Sequence, residues 1–262
     1  MSAKISSIHY CPVKSISYQT FNSCVVKKNI GIERDRVFAF TSGLSLEDTK
    51  MLEQNHEYRK GKWNKILTLK NCPVLNKYNF LYNEEKLSLI FQNRTIISIN
   101  SDDFNERKKL TEKIVELENS IKKPIVLIKN KELPFFDTTI STKVDFVNSV
   151  SLLNIESIKD FSNKINKDIE IQRFRGNILI DGVKAWEERN WIGKIIKIGD
   201  VKFKVAKNIP RCIAINLKPN TDDKSLNLLK SLKKNYMHFD MGIYLIPLSN
   251  GKIELDDNLS FF

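Results

Sequence analysis

Most of the chain consists of short runs rich in Ile, Val, Phe and Leu, which Asn, Asp, Gly and Lys interrupt. Short apolar runs that end at turn-forming residues are typical of β-strands. Tight turns at 83–85 and 199–200 also predict two hairpins. The pattern predicts strands at 3–9, 21–28, 36–41, 65–69, 78–82, 86–91, 95–99, 124–129, 177–181, 195–198, 201–206, 211–217 and 241–247.

Helical periodicity is found in three segments. The clearest covers 102–121, with Ser101 as a candidate N-cap, and shorter amphipathic helices are predicted at 154–165 and 222–234. The predicted fold class is therefore mainly β with some α, in other words α+β.

The segment Lys122-Lys123-Pro124 combines charge with a proline after the longest predicted helix, which favours a domain boundary there. Residues 1–123 are expected to form an N-terminal β-barrel-like unit. Residues 124–262 are expected to form a second β-barrel domain with peripheral helices.

The bulk composition indicates a globular protein, because 41% of its 262 residues are hydrophobic. No window approaches the roughly 18 apolar residues of a membrane helix, and the N-terminus lacks the apolar core of a signal peptide. We therefore expect a cytoplasmic location. The four cysteines are scattered without a C-x-x-C pair, so reduced thiols are expected.

The net charge is +12, and a strongly positive charge is found in nucleic-acid-binding proteins and in other basic proteins. Lysines are spread through nearly every segment, which favours a solvated surface over a nucleic-acid interface. A positive field of this kind also speeds association with an acidic partner.

Two basic segments are candidate anion sites. Lys14 and Ser15 follow the first predicted strand, and Arg36 opens another, so they could bind a phosphate if these strand ends converge. Arg173 and Arg175 lie two residues apart on a predicted extended segment, where their side chains would grip an anion from one side. The alternative for this second pair is ion pairing with Glu187 and Glu188.

The third segment is Arg211-Cys212, at the start of the predicted strand 211–217. Basic surroundings favour the thiolate form of a cysteine, and the thiolate is the form that binds soft metals. The alternative is a buried structural thiol.

The order and spacing of these segments resemble the MOSC family, the molybdenum-cofactor sulfurase C-terminal domain proteins. The resemblance is to the form with an N-terminal MOSC β-barrel region, as in the mitochondrial amidoxime-reducing components and their bacterial relatives. It rests on Pro12-Val13-Lys14-Ser15, Gly31 with Asp35-Arg36, Arg173-Phe174-Arg175 with Asn177-Ile178, Ala185-Trp186 with Glu188 and Trp191, Arg211-Cys212, and Gly242 with Tyr244.

The resemblance implies a molybdenum cofactor (molybdenum bound to molybdopterin) and an oxidoreductase that reduces N-hydroxylated compounds. Cys212 would be the catalytic thiolate and the metal ligand. The implied cofactor-binding residues are Lys14, Ser15 and Arg36 at the phosphate end, Arg175 and Asn177 at the pterin, and Arg211, Tyr244 and Ser149 along the cofactor.

The sequence also departs from the family pattern. Cys11 replaces a tyrosine before Pro12, the turn at Asn220-Thr221-Asp222 lacks its glycine, and Asp256 stands where a glycine is expected. Some relatives end in a ferredoxin-like domain, which this sequence lacks, so electrons are expected from a separate ferredoxin or flavoprotein. Two alternatives stay open: a sulfur carrier with a Cys212 persulfide, and a non-catalytic cofactor carrier.

Overall fold

The strands of this computed structural model form four sheets that enclose two large apolar cores. The structure describes residues 3–59, 61–121, 124–136 and 148–262. The sixteen strands in these ranges are β1 (Lys4–Tyr10), β2 (Gln19–Phe21), β3 (Ser23–Lys27), β4 (Gly31–Ile32), β5 (Phe38–Ser42), β6 (Tyr78–Asn83), β7 (Lys86–Phe91), β8 (Arg94–Asn100), β9 (Ile125–Lys129), β10 (Val150–Asn154), β11 (Ile178–Asp181), β12 (Ile195–Ile198), β13 (Val201–Pro210), β14 (Asp240–Pro247), β15 (Gly251–Glu254) and β16 (Leu259–Phe261).

The larger core lies between a curled eight-stranded sheet and a three-stranded sheet. The strand order of the first is β16-β12-β13-β14-β10-β11-β1-β2, and that of the second is β15-β3-β4. Buried residues of both sheets, such as Ile8, Val26, Phe203 and Ile253, form one continuous cluster. The two sheets therefore pack face to face around one shared core.

The second core belongs to two smaller sheets and one helix. The sheets are β5-β9 and β6-β7-β8. Leu110 and Ile114, on the inner face of the covering helix, pack against Phe40, Phe80 and Leu127 of the strands. The helix begins after Asp103, whose side chain accepts hydrogen bonds from the amides of Asn105 and Glu106. Asp103 is therefore the N-cap, and the Ser101 assignment was wrong.

Five α-helices lie at the periphery of the sheets in the described ranges. They are α1 (Leu46–Gln54), α2 (His56–Arg59), α3 (Phe104–Leu117), α4 (Ile155–Ile165) and α5 (Leu228–Tyr236). The structure confirms the predicted fold class, and it confirms the hairpins at 83–85 and 199–200. None of the helices in the described ranges is both long and apolar enough to cross a membrane.

Two strand predictions were wrong. Residues 65–69 form turns with a single bridge between Thr41 and Ile66, and residues 213–216 form a short 3-10 helix. Ile215 and Leu217 alternate like strand residues and both are buried, yet Ile215 packs in a cluster with residues of α4 and α5. The strand that was expected to begin at Arg211 has therefore already ended, at Pro210 of β13.

The boundary at 123/124 stays a prediction, and Lys122 and Lys123 lie outside the described residues. Two strand pairings join residues on opposite sides of this boundary. Strand β1 pairs with β11, with Ile8 opposite Ile178, and strand β9 pairs with β5, with Leu127 opposite Phe40. The N-terminal strand is thus part of the sheet that carries most of the C-terminal strands.

Candidate active site

A cationic cavity of about 150 Å³ lies where the end of β1, the end of β13 and the turn before β11 meet. Three of the sequence segments that were predicted to carry chemistry converge on it. The cavity is lined by Cys11, Lys14, Ser15, Arg36, Ser151, Arg173, Phe174, Arg175, Asn177, Ile209, Pro210, Arg211, Cys212, Ala214, Ile215 and Tyr244.

Backbone hydrogen bonds hold the two N-terminal segments of the wall together. The amide of Arg36 donates to the Cys11 carbonyl at 2.6 Å, and the amide of Lys14 donates to the Phe38 carbonyl at 2.7 Å. The Asp35 carboxylate accepts from the Cys11 amide at 2.9 Å. Because of these bonds, Lys14 and Arg36 reach the same cavity from different turns, as the sequence predicted.

Three residues of the wall have left-handed backbone conformations although none is glycine. Their φ angles are 62° for Ser15, 55° for Arg36 and 50° for Arg175. Such conformations are costly outside glycine and cluster at functional sites, where the surrounding structure maintains them. Here they turn one hydroxyl and two guanidinium groups towards one cavity.

Asn177 is the buried centre of this wall. Its Oδ1 accepts from the Ser151 amide at 3.1 Å, from the Ser151 hydroxyl at 2.7 Å and from Arg36 Nη2 at 3.1 Å. Its Nδ2 donates to the His9 carbonyl and to Asp35 Oδ2, at 3.1 and 3.2 Å. The amide is saturated by protein partners, so its visible role is to position Arg36; its contact with a pterin stays a prediction.

The pair Arg173 and Arg175 does not lie on an extended segment, as the sequence suggested. Residues Ile171–Phe174 form a 3-10 helix that ends at Arg175. Arg173 pairs with Glu170 at 2.6 Å instead of Glu187 or Glu188, and Arg175 donates to the Cys11 sulfur at 2.9 Å and to the Ser17 carbonyl at 3.0 Å. Both guanidinium groups still line the cavity, because the tight turn reverses the chain there.

Arg211 and Cys212 form another edge of the cavity. Arg211 Nη1 donates to the Phe174 carbonyl at 2.6 Å, and Nε donates to the Met241 carbonyl at 2.9 Å. Cys212 is an exposed cysteine outside any disulfide, and it is the N-cap of the 3-10 helix Ile213–Asn216. The structure therefore contradicts the alternative of a buried structural cysteine at this position.

Among the described residues, the lining carries five cationic side chains, from Lys14, Arg36, Arg173, Arg175 and Arg211, and neither Asp nor Glu. Two carboxylates lie behind the wall, where Asp35 pairs with Arg36 at 3.0 Å and Glu170 pairs with Arg173. Lys14 is itself buried and donates to the carbonyls of Phe135 and Phe136. A wall with this excess of donors and positive charge suits a phosphate or another anion.

Eight of the nine predicted site residues line the cavity; Ser149 does not. Ser149 immediately precedes β10 and is buried, and its hydroxyl has no hydrogen-bond partner in the described structure. A buried unsatisfied hydroxyl costs free energy unless a ligand or water meets it. Its contact with a cofactor stays a prediction.

The sequence analysis missed the second thiol of the cavity. Cys11 is buried, and burial raises the pKa of its thiol, while the nearby Arg175 guanidinium acts in the opposite direction. Its sulfur therefore serves as a hydrogen-bond acceptor for Arg175, where the family pattern has a tyrosine. The only signal in the sequence was that departure itself.

The donor set can be tested against a molybdenum cofactor. Within the described ranges there is no group of three or more His, Cys, Asp or Glu residues that could hold a metal. A metal in this cavity would need most of its ligands from an organic cofactor, with a thiolate as the protein's contribution. An anionic pterin with a phosphate fits the cationic wall, and Cys212 supplies the exposed thiol.

Comparison with models of known protein families finds a match. Residues 137–260 match the model of the MOSC domain family. The matched segment is just under half of the chain, and it is similar to the family that the motifs resemble.

Parts of the chain are also similar in sequence to individual characterised proteins. The chain is 28% identical to mitochondrial amidoxime reducing component 2 of Bos taurus over 109 residues, which are 42% of this chain and 31% of that protein. It is 30% identical to the molybdenum cofactor sulfurase of Drosophila yakuba over 123 residues, 45% of this chain and 16% of that protein. The chain thus spans less than a third of the length of these relatives.

Two solved structures match this chain at lower sequence identity. YiiM from Geobacillus stearothermophilus matches with 17% identity and a TM-score of 0.35, covering 43% of this chain and 53% of that one. The YUAD protein from Bacillus subtilis matches with 10% identity and a TM-score of 0.43, covering 99% of this chain and 94% of that one.

Proposed function

We propose that this protein binds a molybdenum cofactor in the cationic cavity, with Cys212 as the thiolate ligand, and reduces N-hydroxylated compounds. One observation carries the proposal. Among the residues that the structure describes, the cavity wall has five cationic side chains and no carboxylate, and it lies beside an exposed thiol. The relatives named above support the cofactor, because their names refer to molybdenum cofactor and to amidoxime reduction.

In this proposal, different residues of the wall would bind different parts of the cofactor. Lys14, Ser15 and Arg36 lie together and would bind its phosphate end. Arg175, Arg211 and Tyr244 would line the pterin, with Asn177 behind them and Ser149 as a further hydroxyl. When bound, the cofactor supplies the two-electron chemistry that removes the oxygen of an N-hydroxyl group and leaves the amine and water.

The contribution of the chain is positional and electrostatic. Arg175 is fixed from two sides by Cys11 and the Ser17 carbonyl, and Arg211 is fixed by the carbonyls of Phe174 and Met241. Donors fixed in this way require little reorganisation when a charged ligand arrives. Cys212, in contrast, is open to solvent, so a substrate can reach the position beside it.

The exposure of Cys212 also supports a second function, sulfur transfer. An accessible thiol beside cations can carry a persulfide to an acceptor, and one group of relatives is named molybdenum cofactor sulfurase. A cytoplasmic location, where thiols stay reduced, suits both functions, because all four cysteines are free. A cofactor carrier without turnover is the third candidate.

One experiment separates the three. The protein is expressed in a host that makes the cofactor, and molybdenum and pterin are measured per chain for wild type, Cys212→Ser and the control Cys72→Ser, whose thiol lies outside the cavity. We expect about one of each per wild-type and Cys72→Ser chain, and loss of metal with loss of N-hydroxyl reduction in Cys212→Ser. A persulfide trapped on Cys212 without pterin would instead select sulfur transfer, and cofactor without turnover would select the carrier.

A further inference from the structure

Three exposed apolar side chains belong to two segments that adjoin the Arg211-Cys212 edge of the cavity. Their exposed fractions are 46% for Ile213, 74% for Met237 and 40% for Phe239. Ile213 directly follows Cys212, and the Phe239 carbonyl accepts from the Arg211 amide at 2.9 Å. Ile213 and Phe239 therefore both adjoin the Arg211-Cys212 segment, Ile213 along the chain and Phe239 through this backbone bond. We refer to Ile213, Met237 and Phe239 as the apolar rim.

The basic helix α5 borders this rim. Lys233 Nζ lies 5.4 Å from the centre of the Phe239 ring and donates to the Met237 carbonyl at 2.9 Å. Lys230 lies one turn earlier on the same face of α5, and the helix contains no acidic residue. An apolar centre with charged residues at its edge is the usual composition of a protein interface.

We propose that the apolar rim, together with Lys230 and Lys233, is the docking surface for an acidic one-electron carrier protein that reduces the cavity site. The proposal rests on the proposed reductase function. Reduction of an N-hydroxyl compound to an amine and one water consumes two electrons and two protons. A one-electron carrier must therefore dock twice per turnover, which requires a small interface with fast exchange.

Charge selects this occupant over a second copy of the chain. Two copies that met at this rim would bring the α5 lysines of both together, and like charges at an interface cost free energy. An acidic carrier gains from the same lysines, both in affinity and in the rate of encounter. Ile213 of the rim directly follows Cys212, which lines the cavity, so a carrier bound at the rim would lie close to the edge of the cavity.

The test compares a protein donor with a small-molecule donor. The protein donor is a reduced plant-type [2Fe–2S] ferredoxin, which is acidic, and the small molecule is reduced methyl viologen. The variants are Lys230→Glu/Lys233→Glu, Phe239→Ser, and the control Lys86→Glu/Lys109→Glu, whose exposed lysines lie on β7 and α3, away from the cavity lining. Binding of the ferredoxin is also titrated directly, at low and high salt.

We expect the α5 double variant to raise both the Kd and the KM for ferredoxin by about tenfold and to weaken their salt dependence. Phe239→Ser should raise both severalfold, while viologen-driven rates stay within about twofold of wild type. Unchanged ferredoxin binding in both rim variants would overturn the proposal. So would an equal loss in the control, or a wild-type dimer that Phe239→Ser dissociates. Failure of the reductase function is a separate result, because it removes viologen-driven turnover and leaves the binding titration readable.

Discussion

The buried imidazole of His9 leads to a prediction about pH and stability that the structure makes quantitative. The ring stacks on Tyr18 with centroids 4.3 Å apart, and its two nitrogens lie near the hydroxyls of Ser7 and Thr20, at 2.9 and 3.1 Å. Burial lowers the pKa of His9 from 6.5 to about 4. The native state therefore holds this ring neutral at pH values where the unfolded chain already protonates it.

The sign of the effect follows from the two pKa values. Above pH 6.5 both states are neutral at His9, and its titration contributes nothing to the pH dependence. As the pH falls from 6.5 towards 4, the unfolded state gains a proton that the native state does not accept, so stability decreases. The full loss, below both values, is about 3 kcal/mol, and about 2 kcal/mol of it is reached at pH 5.

Urea unfolding of wild type, His9→Gln and Tyr18→Phe between pH 8 and pH 5 tests this value. His9→Gln should lose about 2 kcal/mol less than wild type over that range, because its side chain does not titrate. Tyr18→Phe keeps the buried histidine and should follow wild type. Carboxylates that titrate at lower pH contribute to all three proteins and cancel in the difference. Parallel curves for wild type and His9→Gln would refute the argument.

Two substitutions test the construction of the site. Asn177→Ala removes the side-chain partner of the Ser151 amide and of the His9 carbonyl, and it removes one hydrogen bond of Arg36, so it should lower the free energy of unfolding by about 3 kcal/mol. A loss under about 1 kcal/mol in urea denaturation would contradict the central role of this amide. Gly242→Ala should cost more than about 2 kcal/mol, since its φ is +80° and a Cβ there would collide with the Leu152 carbonyl and the Leu153 side chain. Gly61→Ala is the matched control, because its φ of +78° is similar but no atom lies within 4 Å of the added carbon, so a cost of about 1 kcal/mol is expected. Equal losses at the two glycines by thermal or urea unfolding would show that the close approach at Gly242 is unimportant.

Local sequence pattern predicted most of the strands, because alternation of apolar and polar side chains follows directly from the pleat. Ile195–Ile198 and Val201–Pro210 pair around the predicted turn, with Ile198 opposite Val201. The same rule failed at Ile213, Ile215 and Leu217, whose alternation matches a strand. The last two residues are buried outside any strand, Ile215 in a cluster with α5, and only the tertiary packing shows this.

The residues of the site were less predictable from local sequence pattern than the strands were. Its residues could be named because their order along the chain resembles a family, whereas pattern alone gave only scattered cations. What brings them together is long-range: the Cys11–Arg36 and Lys14–Phe38 backbone bonds and the five contacts of Asn177. The left-handed conformations of Arg36 and Arg175 carry no sequence signal, because neither residue is a glycine.

The cavity is built from more of the chain than the segment that matches the family model. The match begins at residue 137, yet Cys11, Lys14, Ser15 and Arg36 in the wall lie far before it. Strand β1 explains this, because it pairs with β11 inside the eight-stranded sheet and delivers the turn after Tyr10 to the cavity. The segment that carries Cys212 thus supplies the thiol and three of the five cations, and the N-terminal segment supplies Lys14 and Arg36. An anion in this cavity would be held between the two, so its binding depends on the N-terminal strand as much as on the matched domain.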